Sequence, residues 1–227
     1  MPTALPTKPL RTRSPGVVKF VILGDGAVGK TTTIDAFRNY VTSDGELSKA
    51  TAKTSRTRFV DFHTVRSYND DHVPTTFSIW DLQGQRKAHT HPLDFIGDAI
   101  VGSSSFVILM FALDDPQSFE NLLIDRGWYT LIKERIERER ISLIFVGNKA
   151  DRPAEMVEAA VKKIVSRLPT FRAYLAISAL TGHGIKELVE TIQKYSMAIP
   201  TQILLDGMAK QGPPIIDTTS QMSLEAQ

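Results

Sequence analysis

The stretch VVKFVILGDGAVGKTT, residues 17–32, joins an apolar β-branched run to a glycine-rich loop ending in Lys-Thr. The loop fits G-x-x-x-x-G-K-[ST], with a strand predicted before it and a helix after it. Gly24, Gly26 and Gly29 let the backbone bring successive N–H groups close to phosphate oxygens, and Asp25, Ala27 and Val28 complete that cradle. Lys30 neutralises phosphate charge, and the Thr31 hydroxyl is suited to Mg²⁺. Thr32 belongs to the first turn of the following helix, whose positive end adds to the site. The loop alone establishes a phosphate ligand. It does not separate a kinase from an ATPase or a GTPase.

Outward from this stretch, apolar runs alternate with amphipathic ones. Strands are predicted at 17–23, 58–68, 75–81, 106–113, 142–148 and 173–178. Three of these, VVKFVIL, FVILMFAL and SLIFVGN, are nearly continuous apolar runs, as central parallel strands covered on both faces require. The second and third are joined through NDDHVP, whose turn-forming residues predict an antiparallel hairpin. Helices are predicted near 30–40, 116–139, 153–168 and 183–197. The pattern predicts a three-layer α/β domain over residues 16–198, with a mixed, mostly parallel six-stranded sheet and one antiparallel edge strand. Right-handed crossovers then gather the loops after the strands on one rim, where ligands bind in open α/β sheets.

Residues 1–15 carry four prolines, three basic residues and no acid, so they read as a mobile extension; 199–227 read as a second loose tail. The 227 residues suffice for one sizeable domain. A net charge of +2 gives no electrostatic case for nucleic acid or anionic membrane. The absence of cysteine excludes disulfides, thiolate metal sites, a cysteine nucleophile and cysteine-borne lipid anchors. No run approaches the roughly 18 apolar residues of a spanning helix. The expected location is cytoplasmic, peripheral to membranes only through partners.

Two more rim segments refine the ligand. The fifth strand ends in Asn148-Lys149-Ala150-Asp151. A carboxylate there accepts from the N1–H and 2-amino groups of guanine. Adenine has neither donor, so Asp151 would discriminate by the cost of an unpaired acceptor. The third strand ends in Asp81-Leu82-Gln83-Gly84-Gln85. Asp81 suits Mg²⁺, Gly84 lets its N–H approach a terminal phosphate unobstructed, and Gln85 can orient a water.

The set GDGAVGKT, WDLQGQ, GNKAD and Ser178-Ala179 resembles, in order, the Ras superfamily of small GTPases over about residues 17–198. TRFVDF (57–62) is similar to the Rab-type switch I pattern, and SFENL (118–122) with Trp128 to the opening of the family's third helix. The resemblance implies a P-loop G domain that binds GTP/GDP with Mg²⁺. It implies a monomer regulated by activating and exchange proteins and read by effectors. Asn148 would brace the phosphate loop, Lys149 would lie along the guanine, and Asp151 with Ser178 and Ala179 would surround its edge. The Ala179 N–H would meet the guanine oxygen. Thr57 would join Thr31 and Asp81 at the metal, and Gln85 with Lys30, Thr57 and Gly84 would serve hydrolysis. Tyr40 would cover the purine.

Three departures stand out. Thr57 lies 26 positions after Thr31, leaving Thr51 and Thr54 as rivals for the switch I role. Leu82-Gln83 replaces the family's usual Thr-Ala. The usual anchoring cysteine is missing. A nucleotide-holding scaffold with little hydrolysis and a small-molecule P-loop kinase remain the alternatives. Phe59, Phe62 and Trp80 are a candidate partner surface, or ordinary core. Arg86, KERIERER (133–140) and the His89/His91 pair read as solvated or structural positions.

Overall fold

Six segments pair into one sheet: β1 (Gly16–Leu23), β2 (Val60–Tyr68), β3 (Pro74–Leu82), β4 (Phe106–Ala112), β5 (Ser142–Asn148) and β6 (Phe171–Ala176). The structure is a computed structural model and describes residues 16–43, 45, 57, 60–68, 74–84, 91, 93, 100–102, 104–154 and 158–196. Both predicted tails lie outside the described residues. The sheet order is β2-β3-β1-β4-β5-β6. β2 runs antiparallel to β3, from Val60 opposite Leu82 to Tyr68 opposite Pro74. All other pairs are parallel. The short connection between β2 and β3 permits only the antiparallel pairing, because a parallel one needs a long crossover. The predicted mixed sheet with one antiparallel edge strand is therefore the observed one.

Helices cover both faces: α1 (Lys30–Thr42), α2 (Pro116–Leu123), α3 (Trp128–Glu139), α4 (Glu158–Val165) and α5 (Ile185–Ser196). Successive side chains of a strand point to opposite faces, so β1 feeds two cores. Phe20 and Ile22 pack with Phe37 of α1 and Ile192 of α5. Val21 and Leu23 pack with Leu122 of α2, Ile132 of α3 and Val161 of α4. Phe20 anchors the first core, stacked on Phe106 at 4.9 Å and edge-on to Phe37 at 5.9 Å. Every residue of β4 is buried, which accounts for its unbroken apolar run.

Two boundaries differ from expectation in ways that matter. The helix predicted over 116–139 is broken between Leu123 and Trp128. Ile124 is extended and Arg126 takes a left-handed conformation. The Thr130 hydroxyl donates to the carbonyls of Leu123 and Ile124, fixing the break. The last strand starts and ends two residues earlier than predicted, so Ile177 and Ser178 lie in the rim loop. The KERIERER segment behaves as expected: Ile136 is buried while Lys133, Glu134, Glu137 and Arg138 are exposed.

Candidate functional site

The loop after β1 is shaped by its neighbours. Gly24 and Gly29 have φ of 149° and 97°, and the non-glycine Ala27 has φ 62°. A Cβ on Gly24 would stand 2.1 Å from the Met110 carbonyl oxygen, and one on Gly29 would stand 2.2 Å from Asn148 Nδ2. These two glycines are thus required by backbone conformation and close packing. Gly26 is exposed, at the open side of the cradle, and Thr32 lies in the first turn of α1. Gly29 caps α1 without a side chain, and helix N-terminal N–H groups of this kind suit an anion.

Lys30 is buried beneath this loop, its ammonium donating to the carbonyls of Gly24 and Asp25 at 2.9 Å each. Burial pushes its pKa down to about 8, against the opposing pull of the Asp81 and Asp25 carboxylates. A phosphate group would supply the missing negative charge.

Asp81, at the end of β3, is fully buried. Its Oδ2 accepts from the Thr31 hydroxyl and, at 3.2 Å, from the Thr57 hydroxyl; the two hydroxyls are 3.4 Å apart. Its Oδ1 has no hydrogen-bond partner among the described residues. An unpaired buried carboxylate oxygen is costly, so the cluster fits a hard cation held by oxygen donors. Thr31, Thr57 and Asp81 would hold Mg²⁺. The structure brings the Thr57 hydroxyl to Thr31 and Asp81, and Thr51 and Thr54 lie outside the described residues. Gly84 packs directly on the loop: a Cβ there would lie 2.3 Å from Lys30 Nζ and 2.4 Å from the Asp25 carbonyl. Gln85, Arg86, Phe59 and His89 lie outside the described residues. His91 is buried, with Nδ1 accepting from the Leu93 N–H, in keeping with the structural reading.

The opposite end of the rim is tied together by protein. Asn148 Nδ2 donates to the Val28 carbonyl at 2.8 Å, and its Oδ1 accepts from the Ala179 N–H at 3.0 Å. One buried amide thus links the phosphate loop, β5 and the loop after β6. The Ala179 donor, expected at the guanine oxygen, is engaged by Asn148 in this structure. Asp151 is exposed and accepts from the buried Ser178 hydroxyl, which accepts in turn from the Thr181 N–H at 3.2 Å. Lys149 adopts φ 68°, a conformation lysine rarely takes, and its ammonium pairs with Asp114 at 3.0 Å. Burial pushes the Asp114 carboxyl up, but Arg152 and Lys149 together hold it below the usual range. Tyr40 differs from expectation. It lies inside α1, which runs on to Thr42, and packs against the first core rather than standing ready for a purine.

Two features escaped the sequence reading. Asp114 supports Lys149, and the Asp25 carboxylate is held by Asn121 and Trp128. A signal for the second was present: a carboxylate in a phosphate loop repels its ligand unless donors turn it aside.

A Ras family model matches residues 19–198. The chain is 27% identical over 187 residues to the Ras-related protein Rab-27B of Homo sapiens, covering 78% of each chain. It is 32% identical over 139 residues to the Ras-related protein RabO of Dictyostelium discoideum, covering 61% of this chain and 56% of that one. It is 29% identical over 178 residues to the Ras-like GTP-binding protein RHO1 of Entamoeba histolytica, covering 76% and 73%.

Proposed function

Because this chain belongs to the Ras family, we propose that it is a switch that hydrolyses GTP to GDP and phosphate and signals its state to partner proteins. The observation that carries this reading is the convergence of Thr57 on Thr31 and Asp81. Thr57 comes from a distant segment, so a ligand completing this cluster would tie that segment to the phosphate loop.

The residues would divide the work as follows. Lys30 neutralises the β and γ phosphates and loses part of its desolvation penalty on doing so. The Gly84 N–H faces the terminal phosphate, and Gln85 orients the attacking water. Mg²⁺, when bound, neutralises charge developing on the phosphate oxygens. Asn148 keeps the phosphate loop in register with the base-binding loops, and Asp151 accepts from the guanine edge. Loss of the γ-phosphate removes the contacts holding Thr57 and Gly84, which is the switch.

Phe62 supports a partner surface on β2 and β3. It is 63% exposed, with its ring edge-on to Trp80 at 4.4 Å, and the Lys19 ammonium sits 3.7 Å over the Trp80 ring. Exposed aromatics beside a conformational switch are suited to effector binding. Exchange and activating proteins would act on the same side. Among the described residues, no helix is long and apolar enough to cross a membrane.

Single-turnover hydrolysis of GTP with Mg²⁺ tests the reading. Release of phosphate to water, slowed by Gln85→Leu alone or with an activating partner, is expected. An unchanged rate in both settings sinks the catalytic assignment, and phosphate passed to another acceptor would make the chain a kinase. Base choice is tested by Asp151→Asn, which is expected to weaken guanine and favour xanthine nucleotides.

A further inference from the structure

We propose that Asn121 and Trp128 are positioning residues that set how long the nucleotide stays bound, by holding the Asp25 side chain of the phosphate loop. The inference rests on the guanine-nucleotide reading above and concerns residues that reading leaves without a role. Asp25 Oδ1 accepts from the Trp128 indole N–H at 2.7 Å, and Oδ2 accepts from the Asn121 amide. Both donors are neutral, and they stand on either side of the α2–α3 break. Hydrogen bonds to an ionised acceptor are among the strong ones.

The break exists in the form this contact needs. A continuous helix from 116 to 139 would not bring residues 121 and 128, seven apart, to the two oxygens of one carboxylate. The chain makes a tight turn through Gly127, where a Cβ would meet the carbonyls of Asn121, Leu122 and Ile124 at 2.8 Å. The Trp128 ring is fully buried and His91 packs edge-on against it at 4.3 Å, so the indole has little freedom.

The anchor acts on the ligand through the backbone. The Asp25 carbonyl is one of the two that receive the Lys30 ammonium, and Gly84 packs on that same carbonyl. Held aside, the Asp25 carboxylate lends its charge to Lys30 without facing the phosphates. With either donor removed, less holds the carboxylate aside from the anion it would border, which adds repulsion and loosens the carbonyl that orients Lys30. The consequence is faster release of nucleotide.

The test measures release of a fluorescent GDP from the full chain, chased with excess unlabelled GDP in Mg²⁺. Trp128→Phe keeps an aromatic ring and removes the N–H; it is expected to speed release about tenfold, the scale of one charge-assisted hydrogen bond. Asn121→Ala is expected to act in the same direction and carries the test if Trp128→Phe does not fold. In an Asp25→Ala background, either change is expected to add nothing, because the acceptor is gone. A merely structural tryptophan would instead lower stability and speed release equally in both backgrounds. Unchanged release in Trp128→Phe and Asn121→Ala, or the same factor with and without Asp25, overturns this inference alone. A wild-type chain that holds no guanine nucleotide overturns the functional reading and this inference together.

Discussion

The two ends of the rim are built in opposite ways. At the end proposed to read the base, buried Asn148 joins the Val28 carbonyl to the Ala179 N–H through its nitrogen and its oxygen, and Ser178 donates to Asp151. At the end proposed to hold the terminal phosphate, Asp81 is buried with one oxygen unpaired among the described residues, and Lys30 is buried with its pKa pushed down. The first is a finished structure. The second carries electrostatic cost that only a ligand removes. Such a division would suit the proposed switch: preassembled parts would read the ligand's identity, and parts that need the ligand for completion its state.

The comparison breaks most visibly at Lys30. Lys30→Ala is expected to weaken GDP and GTP binding at least about a hundredfold, since it removes a buried charge aimed at the phosphates. Equilibrium titration with a fluorescent nucleotide checks this, and retained affinity would mean the phosphates sit elsewhere.

Stability without ligand should then separate the two ends by sign. Asn148→Ala strands the Val28 carbonyl and the Ala179 N–H, so it is expected to cost about 2–3 kcal/mol. Asp81→Asn removes an incompletely paired buried charge, so in nucleotide-free and metal-free protein it is expected to be neutral or stabilising by about 1 kcal/mol. Denaturant unfolding of both variants decides, and equal losses would erase the distinction.

The pH dependence sharpens it further. The Lys30 pKa of about 8 in the folded state lies below its ordinary value of 10.5. From about pH 8 to about 10.5 the unfolded chain therefore binds more protons. The Lys30 contribution to stability is unfavourable below pH 8 and is relieved as pH rises through that window. Phosphate binding needs the ammonium, so nucleotide affinity is expected to fall about fourfold from pH 7 to pH 8.5, on the titration of one group. A flat profile over that range would show that the ligand finds Lys30 already charged.

The smallest effect belongs to the finished end. Arg152 pairs with Asp114 at 2.8 Å, but its side chain is half exposed. Arg152→Ala is expected to change stability by no more than about 0.5 kcal/mol and to leave base preference intact. Asp114, paired with Lys149 as well, should matter more than Arg152.

Much of this was legible in the chain. Periodicity and apolar runs placed all six strands because burial on two faces leaves a plain compositional mark, as in FVILMFA. The hairpin was readable from Asn and Asp in its turn. The residues proposed to contact ligand stood out in the chain because each must be one residue type at one spacing. What escaped were contacts between side chains of remote segments. Nothing local to Asp25 names Trp128, 103 positions away, as its partner. The α2–α3 break had one local signal, Gly127, but its tight packing on the carbonyls of Asn121, Leu122 and Ile124 is a tertiary fact. Tyr40 differs because α1 runs on to Thr42, which keeps it within the helix and against the first core.

The antiparallel pairing of β2 with β3 has one more consequence. Val60 faces Leu82 and Asp61 faces Asp81, so β3 itself dictates where β2 begins. Thr57 is three residues upstream of that start, and its position is therefore counted backward from the hairpin instead of forward from α1. Residues may be gained or lost between Ser43 and Thr57 without retuning the distance from Thr57 to Asp81. Entropy barely objects, since doubling such a connection costs only about 0.6 kcal/mol. The long spacing after Thr31 is thus spare length, which leaves the Thr57–Asp81 distance set by the hairpin.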